Sequence, residues 1–212
     1  MTEQSIEAQV ATQLLAIKAV KLQPKEPFTW ASGLKSPIYT DNRETIGYPA
    51  VRKLIAQGLA DLIKREYPDV EIIGGVATAG IPHAAWVADL LDLPMVYVRS
   101  KPKDHGAGRQ IEGRLVDGKK IVLIDDLIST GGSVLGGVEA ARKEGANVLG
   151  VVSIFTYELP AGDTNFANAG LPYKSLTNYS TLVDVASQEG YIKEDEMATL
   201  HAWKQDPAAW GK

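Results

Sequence analysis

Cysteine is missing from the 212 residues of this chain. Its absence excludes disulfides, thiolate nucleophiles and cysteine-ligated zinc, and agrees with a cytoplasmic location without requiring one. No stretch approaches the roughly 20 apolar residues that a membrane helix needs. The opening Met1-Thr2-Glu3-Gln4-Ser5 has neither the basic nor the apolar segment of a secretory leader. A soluble, cytoplasmic protein is therefore expected. A surplus of positive charge is missing too: 22 Lys and Arg against 26 Asp and Glu leave a formal net charge of −4. That balance supplies no broad basic field to gather phosphates, so neither nucleic acid nor a membrane surface is an expected partner. With 45% hydrophobic and 23% charged residues and no polar low-complexity tract, the chain can bury a full core, and one domain over 1–212 is expected.

What is present is an alternation. Ile6, Val10, Leu14, Leu15 and Ile17 recur near helical spacing, so an amphipathic helix opens the chain over about 5–18. The segment 28–43 mixes Trp30, Gly33, Pro37 and Tyr39 with hydroxyl residues, which reads as short strands and turns outside the main sheet. Helices are then predicted over 49–66, 81–91 and 133–144, and strands over 71–76, 95–99, 120–124 and 147–154. Two further helices span 181–205. Strands alternating with helices imply an α/β fold, a central parallel sheet flanked by helices, with ligands at the carboxyl ends of the strands.

One strand end carries most of the chemistry. Ile121-Val122-Leu123-Ile124 is followed by Asp125-Asp126-Leu127-Ile128-Ser129-Thr130-Gly131-Gly132-Ser133 and then by an apolar-periodic helix. Gly131 and Gly132 permit torsions closed to other residues, so the amides entering the helix can converge on a phosphate, aided by the helix dipole. Thr130 and Ser133 add hydroxyl donors. Two adjacent carboxylates do not help to bind a phosphate; they suit sugar hydroxyls, with or without a metal nearby. A sugar phosphate is the implied ligand. A glycine-rich turn in which Asp125 or Asp126 merely caps the helix would use the same residue types.

Two other segments bear on this ligand. After the strand over 95–99, Ser100 to Gly113 is basic and carries glycines spaced as hinges. Arg99, Lys101, Lys103, His105 and Arg109 would bring positive charge to an anionic part of that ligand if the loop closed; the lysines alone read equally well as a solvated loop. Gly74-Gly75-Val76-Ala77-Thr78-Ala79-Gly80-Ile81-Pro82 ends a strand and opens a helix, where backbone amides can meet a phosphate group or small residues can simply pack. His83, just inside that helix, is given no role and reads as a structural or surface residue.

The run from Ile121 to Ser133 resembles the phosphoribosyl diphosphate (PRPP) signature of the type I phosphoribosyltransferases. The resemblance implies that fold, with a small N-terminal hood. The hood is expected over about 1–45 plus part of the C-terminal segment, and the core over about 46–180. It also implies that Asp125 and Asp126 hold the ribose hydroxyls, that Ser129, Thr130, Gly131, Gly132 and Ser133 wrap the 5-phosphate, and that Ser129 lies close to the base. Leu127 and Ile128 belong to the same PRPP-binding run. Arg99 and the Lys103-Asp104-His105-Gly106 stretch resemble the catalytic loop of the orotate phosphoribosyltransferases, in which the loop of one subunit reaches its partner's site. By that resemblance Arg99, Lys103 and His105 are catalytic and contact PRPP, and the chain is a homodimer whose loop 99–113 crosses between subunits.

The segment from Phe28 to Arg43, with its Trp30-Ala31-Ser32-Gly33 version of the motif, resembles the hood that covers the base in one branch of those enzymes. A ring bearing a carboxylate asks for cations beside an aromatic wall, and Lys35 and Arg43 are the candidates. The implied reaction transfers the 5-phosphoribosyl group from PRPP to orotate, giving orotidine 5′-monophosphate and diphosphate for pyrimidine synthesis. Mg²⁺ is the expected cofactor, carried by diphosphate and water without a cage of protein carboxylates. A phosphoribosyltransferase for another base, and a regulator that senses PRPP, are the alternatives.

Overall fold

The computed structural model describes residues 4–30, 33–101, 109–114 and 117–210. Helix α1 (Ile6–Ala16) opens the chain, capped by the Ser5 hydroxyl, which accepts from the Ala8 amide. Four short strands follow: β1 (Val20–Leu22), β2 (Phe28–Thr29), β3 (Lys35–Ser36) and β4 (Ile38–Thr40). They form two antiparallel pairs outside the main sheet, β1 with β4 and β2 with β3. A 3₁₀ helix (Asn42–Gly47) then leads to α2 (Pro49–Glu66). Pro49 stands at its first turn, where a missing N–H costs nothing, and Val51, Ile55, Leu59, Leu62 and Ile63 form its buried stripe.

The core continues as β5 (Ile72–Val76), α3 (Gly80–Leu91), β6 (Met95–Val98), β7 (Ile111–Glu112), β8 (Lys120–Ile128), α4 (Gly132–Lys143), β9 (Asn147–Thr156), α5 (Pro160–Asn168), β10 (Tyr173–Asn178), α6 (Tyr179–Gln188) and α7 (Glu194–Gln205). Six strands form one sheet in the order β10-β9-β8-β5-β6-β7, parallel except for β7. All five residues of β5 are buried, as a strand covered on both faces requires. Alternate residues of β5 and β8 feed two cores. Ile73, Val122 and Ile124 pack with α1, α2, α3 and α6, whereas Ile72, Ile121 and Leu123 pack with α4 and Phe166 of α5.

The parallel α/β sheet expected from the alternation is therefore present, with two corrections of extent. Strand β8 does not stop at Ile124 but runs on to Ile128, and β9 runs on to Thr156, because the two continue side by side with Asp125 opposite Ser153 and Ile128 opposite Thr156. Strands β7 and β10 and helix α5 did not stand out in the sequence. Among the described residues no helix is long and apolar enough to cross a membrane.

Candidate active site

Where strand order reverses in a parallel sheet, a crevice opens at the carboxyl ends of the strands. Strand β5 leads through α3 to β6 on one side, while β8, β9 and β10 lie on the other. The crevice thus falls between the ends of β5 and β8. Two turns meet there, 77–79 and 129–131. Gly80 lies so close to β8 that a Cβ would collide with the Ile124 carbonyl oxygen and come within 3.1 Å of the Asp125 Cα. Only a residue without a side chain lets the first turn lie against the second. The Ala77–Thr78 peptide in the first turn is cis.

Strand β8 carries both carboxylates to this rim. Asp125 is 8% exposed, and its Oδ1 accepts from the Asp126 amide at 2.9 Å. Asn42, fully buried in the 3₁₀ helix, donates Nδ2–H to the Asp126 carbonyl at 2.7 Å, so the N-terminal segment pins this backbone. Burial pushes both carboxyls above the ordinary aspartate range, and the neighbouring Asp126 charge raises Asp125 further. Such a pair gains from donors that bind the ionised form, and a ribose diol is a donor set of that kind.

Beyond Ile128 the chain turns through Ser129, Thr130 and Gly131, whose φ of +78° is the left-handed conformation that glycine tolerates. Helix α4 then begins. Among the described residues, the amides of Thr130, Gly131 and Gly132 donate to no protein acceptor. Free amides at a helix N-terminus suit an anion. Ser133 lies exposed in the first turn of α4.

Next to this turn is a small cleft of about 200 Å³, lined by Trp30, Tyr39, Thr40, Leu127, Ser129 and Tyr157. The Trp30 and Tyr157 rings lie 5.1 Å apart, and the Trp30 Nε1–H donates to the Ile38 carbonyl at 3.2 Å. Burial pushes the Tyr157 hydroxyl well above its usual range, keeping it neutral and able to donate. The cleft has aromatic walls and shares Ser129 with the turn after β8.

The cationic candidates are dispersed. Lys35, on β3, donates Nζ–H to the Thr29 hydroxyl at 2.8 Å and lies outside the set that lines the cleft. Arg43 is folded back on Asp41 with bonds of 2.6 and 2.7 Å from Nε and Nη2; that bond holds the Asp41 carboxyl below its usual range. Arg99 follows β6, its guanidinium 3.9 Å from Glu112. Its amide donates to the Gln110 carbonyl at 2.9 Å, and Gln110 Nε2 donates to the Arg99 carbonyl at 2.7 Å. Glu144 accepts from the Gln110 and Ile111 amides. Both ends of segment 99–110 are thereby joined at the carboxyl end of β6. Lys101 is exposed, and Lys103 and His105 lie outside the described residues.

His83 is fully buried in α3, its ring 5.4 Å from that of Trp86. Desolvation lowers its pKa to about 4. Thr40 and Asn42 fall in the 28–43 segment without having been given individual roles, and Tyr157 was marked by no spacing signal; their placement beside the cleft and β8 depends on contacts between distant segments.

A family model described as phosphoribosyl transferase domain matches residues 43–185. The chain is 64% identical over 203 residues to the orotate phosphoribosyltransferase of Enterococcus faecalis strain OG1RF, covering 96% of this chain and 97% of the relative. It is 63% identical over 206 residues to that of Lactiplantibacillus plantarum, covering 97% of each. Among solved structures, the orotate phosphoribosyltransferase of Aeropyrum pernix superposes with a TM-score of 0.74 at 28% identity, covering 87% of this chain and 99% of that one.

Proposed function

The chain belongs to the orotate phosphoribosyltransferases, and on that footing we propose how its residues divide the transfer of a 5-phosphoribosyl group from PRPP to orotate. The product is orotidine 5′-monophosphate, an intermediate in pyrimidine synthesis. In this reading Asp125 and Asp126 accept hydrogen bonds from the ribose hydroxyls. The run Leu127, Ile128, Ser129, Thr130, Gly131, Gly132 and Ser133 cradles the 5-phosphate through its amides and hydroxyls. Orotate lies in the aromatic cleft beside Ser129, with Lys35 supplying positive charge for the carboxylate. The observation that carries this division is the carboxylate pair near the end of β8, Asp125 buried and Asp126 half-buried, between a turn of free amides and an aromatic cleft.

The ring nitrogen of orotate forms a bond to C1 of the ribose as the bond from C1 to diphosphate breaks. The electron pair leaves with the diphosphate, and the ring nitrogen gives up its proton to solvent. No covalent enzyme intermediate is needed. The protein's share is orientation and electrostatics: Arg99, Lys103 and His105 meet the negative charge that develops on the leaving group. Mg²⁺ fits as a partner of PRPP. Among the described residues there is no group of three or more acidic or histidine side chains to cage a cation, and one or two carboxylates plus substrate oxygens and water suit this ion. When bound, Mg²⁺ supplies charge neutralisation on the diphosphate.

The enzyme acts, in this proposal, as a cytoplasmic homodimer in which loop 99–113 of one subunit completes its partner's site. Its one domain consists of a core over about 46–180 and a hood over about 1–45 joined by part of the C-terminal segment. The absence of a basic surplus supports a protein that engages neither nucleic acid nor membrane. The test offers PRPP and Mg²⁺ with orotate, adenine, hypoxanthine or uracil in separate reactions and measures diphosphate release, with Lys103→Ala as control. Turnover with orotate alone, lost in the control, is the expected result. Turnover with another base, or PRPP binding without turnover on any base, would overturn it.

A further inference from the structure

Helix α5 touches the turn after β8 at three successive points. Gly162 approaches so closely that a Cβ would lie 2.8 Å from the Ser129 carbonyl oxygen. Asn165 donates Nδ2–H to the Thr130 carbonyl at 2.9 Å. Phe166 occupies the space beside Gly131, where a Cβ would come within 2.7 Å of its ring. Residues at i, i+3 and i+4 share one face of a helix, so one face of α5 meets three consecutive residues of the turn in order. Helix α5 is also joined to the edge strand of the sheet. Tyr173 of β10 donates its hydroxyl to Asp163 at 2.6 Å, and its ring lies 4.4 Å from that of Phe166.

All the contacts on the turn engage its carbonyls or its Cα side. Two of its carbonyl oxygens are turned toward α5, while the amides of Thr130, Gly131 and Gly132 have no protein acceptor among the described residues. A peptide plane whose carbonyl is held on one side presents the following amide on the other. Holding the Ser129 and Thr130 carbonyls therefore aims the amides of Thr130 and Gly131 away from α5.

We infer that α5 is a positioning element for the phosphate end of PRPP, with Asn165 as its adjustable contact and Gly162 setting its distance. The inference rests on the reading that the turn holds the 5-phosphate. Binding energy spent on aiming amides before the ligand arrives is recovered as affinity, so loosening α5 weakens whatever the turn holds and leaves the diphosphate end alone.

The test measures the dissociation constants of PRPP, ribose 5-phosphate and diphosphate, and the KM for orotate, in Asn165→Leu, Gly162→Ala and Thr130→Val. Asn165 is half-exposed, so its substitution is compatible with a folded protein, which circular dichroism verifies. Asn165→Leu is expected to weaken PRPP and ribose 5-phosphate together by ~5–20-fold, the scale of one lost hydrogen bond that orders a site. Diphosphate affinity stays within about twofold, any rise in the orotate KM is smaller than the loss of ribose 5-phosphate, and Asn165→His, which keeps a donor, recovers part of the loss. Gly162→Ala moves the same two affinities in the same direction. If Thr130→Val weakens ribose 5-phosphate while Asn165→Leu and Gly162→Ala do not, the role of α5 is overturned and the phosphate turn stands. If Thr130→Val also leaves ribose 5-phosphate untouched, the underlying reading fails, and this inference with it. A uniform loss across all four ligands likewise overturns it, because that is the mark of general destabilisation.

Discussion

Trp203 donates its indole N–H to the carbonyl oxygen of Lys35 at 3.1 Å, across 168 residues of chain. The same ring is fully buried and meets Trp30 edge-on at 5.7 Å and Tyr157 at 5.9 Å. The next residue, Lys204, donates to Glu158 and Ser180 at 2.7 Å each. Burial alone would push the Glu158 carboxyl upward, but the bonds from Lys204 and Ser180 together hold it below its usual range. Helix α7 thus ties strand β3 to both aromatic walls of the cleft. Trp203→Phe keeps a ring but strands the Lys35 carbonyl, at a cost of about 1–2 kcal/mol. Trp203→Ala adds a cavity and costs about 3–5 kcal/mol. Thermal unfolding is expected to rank the two in that order, and steady-state kinetics on Trp203→Phe to show a raised KM for orotate with little change in that for PRPP.

Asp125→Asn separates stability from function. A carboxyl whose pKa is raised in the folded state binds its proton more tightly there than in the unfolded chain. Across the window that opens at the ordinary value of 3.8 and runs upward, the native state holds more protons and loses stability as pH rises. Asn carries no such charge. The variant protein without ligand is expected to melt a few degrees above wild type at pH 8 and to converge with it near pH 4, while its affinity for PRPP falls by about tenfold or more. Calorimetry at the two pH values checks the first point and titration calorimetry the second.

His83 has the opposite sign. Its pKa of about 4 in the folded state lies below the ordinary 6.5, so between those values the unfolded chain binds more protons and stability is lost on acidification. His83→Phe keeps a ring without a titrating nitrogen. Denaturant unfolding at pH 7 and pH 4.5 is expected to show an acid loss on the order of 2–3 kcal/mol smaller in the variant; equal losses would remove His83 from the acid response.

The proposed homodimer, with a loop that serves the partner's site, is testable by complementation. Lys103→Ala and the double variant Asp125→Asn with Asp126→Asn are each expected to be nearly inactive. Random mixing of the two gives hybrid dimers with one intact site, and so about a quarter of wild-type activity. No recovery, with hybrids verified by mass spectrometry, would place the loop in its own subunit's site.

Much of this architecture is legible along the chain where local signals agree with the fold. Helix α2 begins and ends as its Pro49 and its apolar period indicate. Strand β8 is the instructive departure. Asp125 and Asp126 read as the start of a loop, because paired carboxylates are costly inside a sheet, yet β9 carries the strand four residues past Ile124. Helix α5 was invisible for a related reason: Gly162, Asn165 and Asn168 are poor helix formers, and the first two are required by the turn they touch. The cleft was legible only in part. Trp30 and Tyr39 stood out as aromatics, but Tyr157 enters through packing that joins β9 to the N-terminal segment. Arg43, a candidate by charge, is drawn to Asp41 two residues away.

The most direct test of the site is titration calorimetry of PRPP with Mg²⁺, in the absence of any base, on wild type and on the double variant Asp125→Asn with Asp126→Asn. Wild-type protein is expected to bind, and the folded double variant to lose affinity by about a hundredfold, since two sites that accept charge-assisted hydrogen bonds from the ribose are removed. Equal affinity in the two proteins would contradict the assignment of the end of β8 to the ribose of PRPP.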